Sequence, residues 1–153
     1  MANTYSQIYM HAIFAVKYRE ALLDKKWRSQ LFKIIGALIN EMNAQSIIVN
    51  GVEDHVHCLF RLRPAISISS VMKNAKAKSS QWINKSNFLE HRFEWQRGFS
   101  AFSYSQSQVE KIKQYIRNQE THHRSASFLE ENKEFLKKFN VDFKDEYLFK
   151  ELI

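Results

Sequence analysis

Apolar and polar residues alternate with period two from Tyr5 to Val16. Ile8, Met10, Ala12, Phe14 and Val16 take one face, and Tyr9, His11 and Ile13 the other. That period predicts a first β-strand. Lys17-Tyr18-Arg19-Glu20 is a polar connection. From Asp24, a suitable N-cap, Trp27, Leu31, Ile34, Ile35, Leu38 and Met42 recur at helical spacing and predict a helix to about Met42. Gln45 to Gly51 is β-branched and apolar, a second strand. After a short connection, His55 to Arg63 forms a third. On it Val56, Cys58, Phe60 and Leu62 face inward, while His55, His57, Leu59, Arg61 and Arg63 share the opposite face. Pro64, with no N–H for the ladder, ends it. A second helix is predicted from Ser67 to Lys85, its inner stripe Ile68, Val71, Met72, Ala75, Trp82 and Ile83. Asn84 to Arg97 reads as mostly loop, and Gly98 to Ser105 as a fourth strand. Ser107 is the predicted cap of a third helix to about His123, with Val109, Ile112 and Ile116 inward. Ser127-Phe128-Leu129-Glu130 is a capping-box pattern that opens a fourth helix to about Phe139. Val141 to Ile153 is aromatic and charged and is expected to dock on a surface.

The order is β-α-β-β-α-β followed by two helices. Its first six elements are the split arrangement of ferredoxin-like and RNA-recognition folds. The expected class is therefore α+β: an antiparallel sheet with helices on one face and additional C-terminal helices. The third strand would be central. At 153 residues and 44% apolar content, with twelve Phe, three Trp and six Tyr, the chain can bury a real core. It is expected to be a single domain over residues 1–153, with residues 1–124 as a core and 125–153 as a C-terminal helix and tail. The single Cys58 has no disulfide partner, no apolar run approaches a membrane span, and the N-terminus lacks a signal-peptide core. A cytoplasmic location is the expectation.

The placement of charge narrows the partner. Residues 1–54 carry a net +1, residues 55–124 twelve basic against four acidic side chains, a net +8, and residues 125–153 a net −2. A polyanion such as nucleic acid suits that middle stretch; a solvated basic surface is the plain alternative. The same stretch holds the candidate chemistry. In His55-Val56-His57 two imidazoles share one strand face, ready to share a metal ion, beside the acidic Glu53 and Asp54. Two nitrogens and an oxygen, with open positions, suit Mn²⁺ or Mg²⁺ at a phosphate better than structural zinc. Tyr115 and Gln119 lie one helical turn apart, off the Val109/Ile112/Ile116 stripe, with Lys111 and His122 on the same side. A paired-His site with a tyrosine beside an amide points to metal-assisted attack of tyrosine on a phosphodiester. Each part also has an ordinary reading: strand histidines that only hydrogen-bond, a packing tyrosine, solvated lysines. Trp95 and Phe99, among Arg92 and Arg97, are either base-stacking platforms or core.

In this order, several segments carry a family resemblance. They are His11-Ala12-Ile13-Phe14 with Lys17-Tyr18-Arg19, Gly51-Val52-Glu53-Asp54-His55-Val56-His57, Trp95-Gln96-Arg97-Gly98-Phe99-Ser100-Ala101-Phe102-Ser103, and Tyr115-Ile116-Arg117-Asn118-Gln119 followed by His122-His123. Over nearly its whole length the chain resembles the single-tyrosine HUH transposases of the bacterial IS-two-hundred type, with REP-associated tyrosine transposases as close relatives. The resemblance implies cleavage and rejoining of single-stranded DNA beside hairpins. Tyr115 would be the nucleophile, forming a 5′-phosphotyrosine link. His55 and His57 would bind the divalent metal, Mg²⁺ or Mn²⁺, with Gln119 as a third ligand. A homodimer would pair the His site of one subunit with the tyrosine helix of the other. The candidate DNA contacts are Lys17, Arg19, Arg61, Arg63, Lys73, Lys76, Arg97 and Lys111. Two alternatives stay open: a non-catalytic nucleic-acid-binding module of RNA-recognition type, and a domesticated nuclease acting on repeated hairpins.

Overall fold

The computed structural model describes residues 3–121 and 127–142. Four strands, β1 (Ile8–Ala15), β2 (Gln45–Gly51), β3 (His55–Leu62) and β4 (Ser100–Tyr104), form one sheet in the order β2-β3-β1-β4. Every neighbouring pair is antiparallel. The helices are α1 (Lys25–Glu41), α2 (Ile68–Lys85), α3 (Gln106–Arg117) and α4 (Phe128–Lys138). The order and the central place of β3 are those expected.

The helix starts follow local chemistry. The Asp24 carboxylate accepts from the Lys26 N–H at 2.8 Å, and Ser67 Oγ from the Ser70 N–H at 3.1 Å. Ser127 Oγ accepts from the Glu130 N–H at 3.3 Å. The third helix corrects the expected cap. Ser105, not Ser107, is its N-cap, and the Ser105 N–H donates to Gln108 Oε1 at 3.2 Å. The helix also ends at Arg117, because Asn118 leaves helical geometry (φ −95°, ψ 24°); a short helical turn resumes at residues 119–121. The expected docking of the C-terminal tail and the placing of His122 and His123 fall on residues 122–126 and 143–153, outside the described residues, apart from Val141 and Asp142. The expected boundary between residues 124 and 125 lies there too.

Both faces of the sheet are covered. Ala12 and Phe14 of β1, with Val56, Cys58 and Phe60 of β3, pack against Leu31, Ile35 and Ile39 of α1 and Val71, Met72 and Ala75 of α2. On the other face Ile13 and Leu59 meet Phe102, Ile112 and Ile116, and Phe128, Phe135 and Leu136 of α4. Each fully buried side chain of this size contributes roughly 1.5–3 kcal/mol. Six consecutive buried residues, His55 to Phe60, follow from a central strand covered on both sides. The His-bearing face is thus closed over by the C-terminal helices. Phe93 and Trp95 anchor the irregular stretch before β4: Trp95 packs edge-on against Phe14 at 4.7 Å and donates Nε1–H to Ser79 Oγ at 3.0 Å. Trp95 is therefore core, not a platform for bases. Cys58 is buried, and burial pushes its thiol up, out of reach of redox chemistry.

Gly51 closes the β2–β3 connection. A Cβ there would lie 2.2 Å from the His55 carbonyl oxygen, so this close approach requires glycine. Gly51→Ala is expected to lower stability by about 1–3 kcal/mol and to displace His55. A urea midpoint equal to wild type would contradict this.

Candidate active site

β3 sets the two histidines on one face, and the sheet brings a different partner to each. The loop before β3 presents Asp54, whose Oδ1 lies 2.7 Å from His55 Nδ1. Asp54 is itself held by Arg19, whose Nε and Nη2 donate to Oδ2 at 3.1 and 2.9 Å. Arg19 follows a tight turn in which Tyr18 and Arg19 both adopt positive φ, 60° and 58°. That conformation is costly for residues with a Cβ, and it aims the guanidinium inward, over the Phe128 ring at 4.4 Å. Arg19 was expected on the DNA surface. It is instead only 8% exposed and bound to Asp54, because an arginine buried here needs a carboxylate partner. On β1, His11 places Nε2 2.8 Å from His57 Nδ1.

The opposite nitrogens face one carboxylate. Glu131 of α4 lies with Oε1 2.9 Å from His57 Nε2 and 3.4 Å from His55 Nε2. The ligating atoms of His55, His57 and Glu131 all lie within 4.8 Å of one another. Glu131 was not singled out by the sequence reading. Its other oxygen, Oε2, accepts the hydroxyl of Tyr115. The tyrosine comes from α3, its ring 6.0 Å from that of His57 and 5.6 Å from that of Phe135. The Tyr115 face is therefore roofed by α4, not lined by solvent. Asn50 of β2 holds the end of α3, its Nδ2 donating to the carbonyls of Ile116 and Arg117 at 3.0 and 3.2 Å.

Gln119, beyond the break at Asn118, is fully buried. Its segment is held by an ion pair of Glu120 with Arg28 at 2.8 Å. The Gln119 amide lies by the Tyr115 hydroxyl and acts to lower that phenol, against the larger effects that raise it. The two imidazoles and the Glu131 carboxylate could together hold a hard or borderline divalent cation.

The protonation of these groups follows from their packing. Burial alone would raise Glu131, but hydrogen bonds and charge from His55 and His57 hold it well below the usual carboxylate range. Burial alone would lower His55, yet Asp54 and Glu131 raise it. Burial in apolar surroundings, with His57 beside it, lowers His11 well below its ordinary value, so that ring is neutral. Burial, then the Glu131 charge, raises the Tyr115 phenol. A phenol in this state does not ionise unaided.

Asp54 has a consequence for stability. Burial pushes its carboxyl up, but His55 and Arg19 more than offset this and hold it at about 2 against 3.8. A depressed carboxyl stabilises the fold above its unfolded value and loses that contribution as pH falls through the folded one. About 2 kcal/mol should therefore disappear between roughly pH 4 and pH 2. Urea midpoints at pH 5 and pH 2.5 should differ more for wild type than for Asp54→Asn; equal differences would contradict the assignment.

The remaining candidate cations are dispersed. Lys76 and Lys73 belong to α2, on the sheet face opposite the histidines. The Lys76 ammonium turns inward to the carbonyls of Gln96 and Gly98, both at 2.7 Å, and its burial lowers its pKa to about 8. It is a structural contact, not an exposed cation. Arg61 and Arg63 line a cleft of about 690 Å³ at the far end of β3, beside the exposed Tyr5. Lys17 is exposed and paired with Glu94 at 2.8 Å; Lys73, Arg97 and Lys111 are exposed. Within the chain, the His pair and Tyr115 meet at Glu131.

Comparison with known proteins bears on the family and the fold. A family model described as Transposase IS200 like matches residues 4–119. The transposase for insertion sequence element IS200 of Salmonella typhimurium is 28% identical over 125 residues, which cover 78% of this chain and 81% of that protein. Its counterpart in Salmonella typhi matches equally. A solved structure from Deinococcus radiodurans R1, assigned as a transposase, superposes with a TM-score of 0.62 at 22% identity, covering 78% of this chain and 95% of that one. The REP-associated tyrosine transposase bound to a REP hairpin superposes with a TM-score of 0.56 at 12% identity, covering 84% of this chain and 74% of that one. These two likenesses are of fold.

Proposed function

The chain belongs to the IS200-like transposase family and is a DNA transposase, and from that premise we propose that it cuts and rejoins single-stranded DNA through Tyr115, with a divalent cation held on His55 and His57. One observation carries this reading. The Tyr115 hydroxyl and both imidazoles converge on a single buried carboxylate, Glu131. A packing tyrosine and two structural histidines have no need of that convergence.

His55 and His57 would hold the cation through Nε2, with Glu131 and Gln119 as the available oxygen donors. When bound, Mg²⁺ or Mn²⁺ would withdraw charge from the scissile phosphate and orient it. Tyr115 supplies the attacking oxygen, and its proton is lost to solvent as the oxygen attacks. The Tyr115 oxygen–phosphorus bond forms as the bond to the 3′ oxygen breaks. That oxygen takes a proton from solvent, leaving a 5′-phosphotyrosine and a free 3′-OH. Rejoining is the reverse exchange with another 3′-OH. One phosphodiester replaces another, so no nucleotide cofactor is consumed.

The substrate in this reading is single-stranded DNA carrying a hairpin, met by the exposed Lys17, Arg61, Arg63, Lys73, Arg97 and Lys111 and bound in the cytoplasm. Among the described residues no helix is long and apolar enough to cross a membrane. A homodimer with shared sites belongs to the same reading: release of α3 from Asn50 and Glu131 would let the tyrosine helix reach a partner. Mixing Tyr115→Phe with His57→Ala chains tests that exchange. Restored cleavage supports it, and no restoration leaves each site working within its own chain.

The reading as a whole is tested with hairpin-bearing single-stranded DNA and Mn²⁺. A covalent protein–DNA adduct on a denaturing gel, absent with chelator, is expected. Tight binding without any adduct would favour a non-catalytic binding module. Affinity should fall steeply with salt as counterions are released.

A further inference from the structure

His11 is 0% exposed, in an aromatic cage. Its ring lies 5.3 Å from Phe135, 6.1 Å from Tyr104 and 6.4 Å from Phe102. Phenylalanine would suit that cage better, since it buries no polar atom. The His11 Nδ1 has no hydrogen-bond partner among the described residues. Its other nitrogen, Nε2, lies 2.8 Å from His57 Nδ1, with the rings stacked at 5.0 Å and 28°. A buried imidazole with one nitrogen unused and the other on a site histidine is a costly choice unless that contact has work to do.

We infer that His11 is the positioning residue for His57: its Nε2 accepts the proton carried by His57 Nδ1 and leaves His57 Nε2 as the nitrogen that meets the cation. A neutral imidazole carries one N–H and one lone pair, so fixing the proton on Nδ1 directs the lone pair from Nε2. Partners of this kind orient ligating histidines and set their tautomer. The two histidines are served differently. His55 has the Asp54 carboxylate behind it, and His57 has the His11 imidazole. With Asp54 and Glu131 already present, a third carboxylate would add negative charge where a phosphate must approach. An imidazole nitrogen orients His57 without a carboxylate's charge.

This inference rests on the reading that His55 and His57 bind a divalent cation. The test uses the full chain without DNA and Mn²⁺ alone, with affinity read by electron paramagnetic resonance in wild type, His11→Phe and His11→Gln. His11→Phe should bind Mn²⁺ about 10–100-fold more weakly, while the metal-free chain melts at the wild-type temperature or above. The side-chain oxygen of Gln reaches the position of Nε2, so His11→Gln should recover most of the affinity. Wild-type affinity in His11→Phe, or equal losses in Phe and Gln, would overturn the role of His11 and leave the metal reading standing. Wild type that binds no Mn²⁺ would overturn the metal reading itself. Should His11→Phe fail to fold, the ¹⁵N spectrum of Zn²⁺-loaded wild type decides. His57 protonated at Nδ1 and bound through Nε2 is expected, and binding through Nδ1 would overturn the inference.

Discussion

Replacing Tyr115 with Phe is expected to reduce cleavage of hairpin-bearing single-stranded DNA by roughly 10⁴-fold or more and to eliminate the covalent adduct. The substitution removes one oxygen and keeps the ring that packs on Phe135. Glu131 loses a donor but keeps both histidines. The loss of a hydrogen bond to a charged acceptor costs about 1.5–3 kcal/mol, which leaves the fold intact. Hairpin affinity should stay near wild type, because the phenol is not among the exposed cations that meet phosphate. Cleavage assays with pre-bound substrate separate the two effects. An adduct that persists in the Phe chain would mean that another group attacks.

Replacing His55 with Ala should have the next largest effect: loss of Mn²⁺ binding and at least a roughly 10³-fold fall in cleavage. His55 tests the metal more cleanly than His57. Without His55, Asp54 still has Arg19 and Glu131 still has His57, so no buried charge is stranded. Without His57, both His11 and Glu131 lose a partner at hydrogen-bond distance. Glu131 keeps His55 and the Tyr115 hydroxyl, but the buried His11 ring loses its contact with His57, at a cost of about 1–3 kcal/mol, so a loss of cleavage in His57→Ala would mix folding with chemistry. Calorimetric titration of His55→Ala with Mn²⁺ checks the prediction. Wild-type metal affinity together with wild-type cleavage would contradict it.

Much of this site was legible because it lies on regular elements. Period-two alternation placed His55 and His57 on one face of β3 and Val56 on the other, and the register of the sheet keeps them there. Asp24 capped α1 where expected, since its carboxylate meets a free N–H of the first turn. What was missed depends on contacts between distant segments. Glu131 lies 74 residues from His57. Its signal was present but subtle: it occupies the buried stripe of α4 with Phe128, Asn132 and Phe135, where an acid has no reason to be unless a partner waits. The capping-box pattern points instead to its neighbour Glu130. Arg19 looked like a surface cation because nothing local to it announces Asp54, 35 residues on. The end of α3 at Arg117 was hidden for a different reason. The apolar spacing of Val109, Ile112 and Ile116 gives no sign of the break at Asn118, where the Asn50 side chain, 66 residues from Ile116, takes up the last carbonyls.

The central claim is that one tyrosine of six carries the chemistry. It is tested most directly by trapping the adduct of wild-type protein with hairpin-bearing single-stranded DNA in Mn²⁺, digesting it and sequencing the modified peptide by mass spectrometry. The nucleotide should be found on Tyr115, and should be absent when the metal is chelated. A nucleotide on Tyr104 or Tyr147, or an adduct formed equally well without metal, would contradict the account.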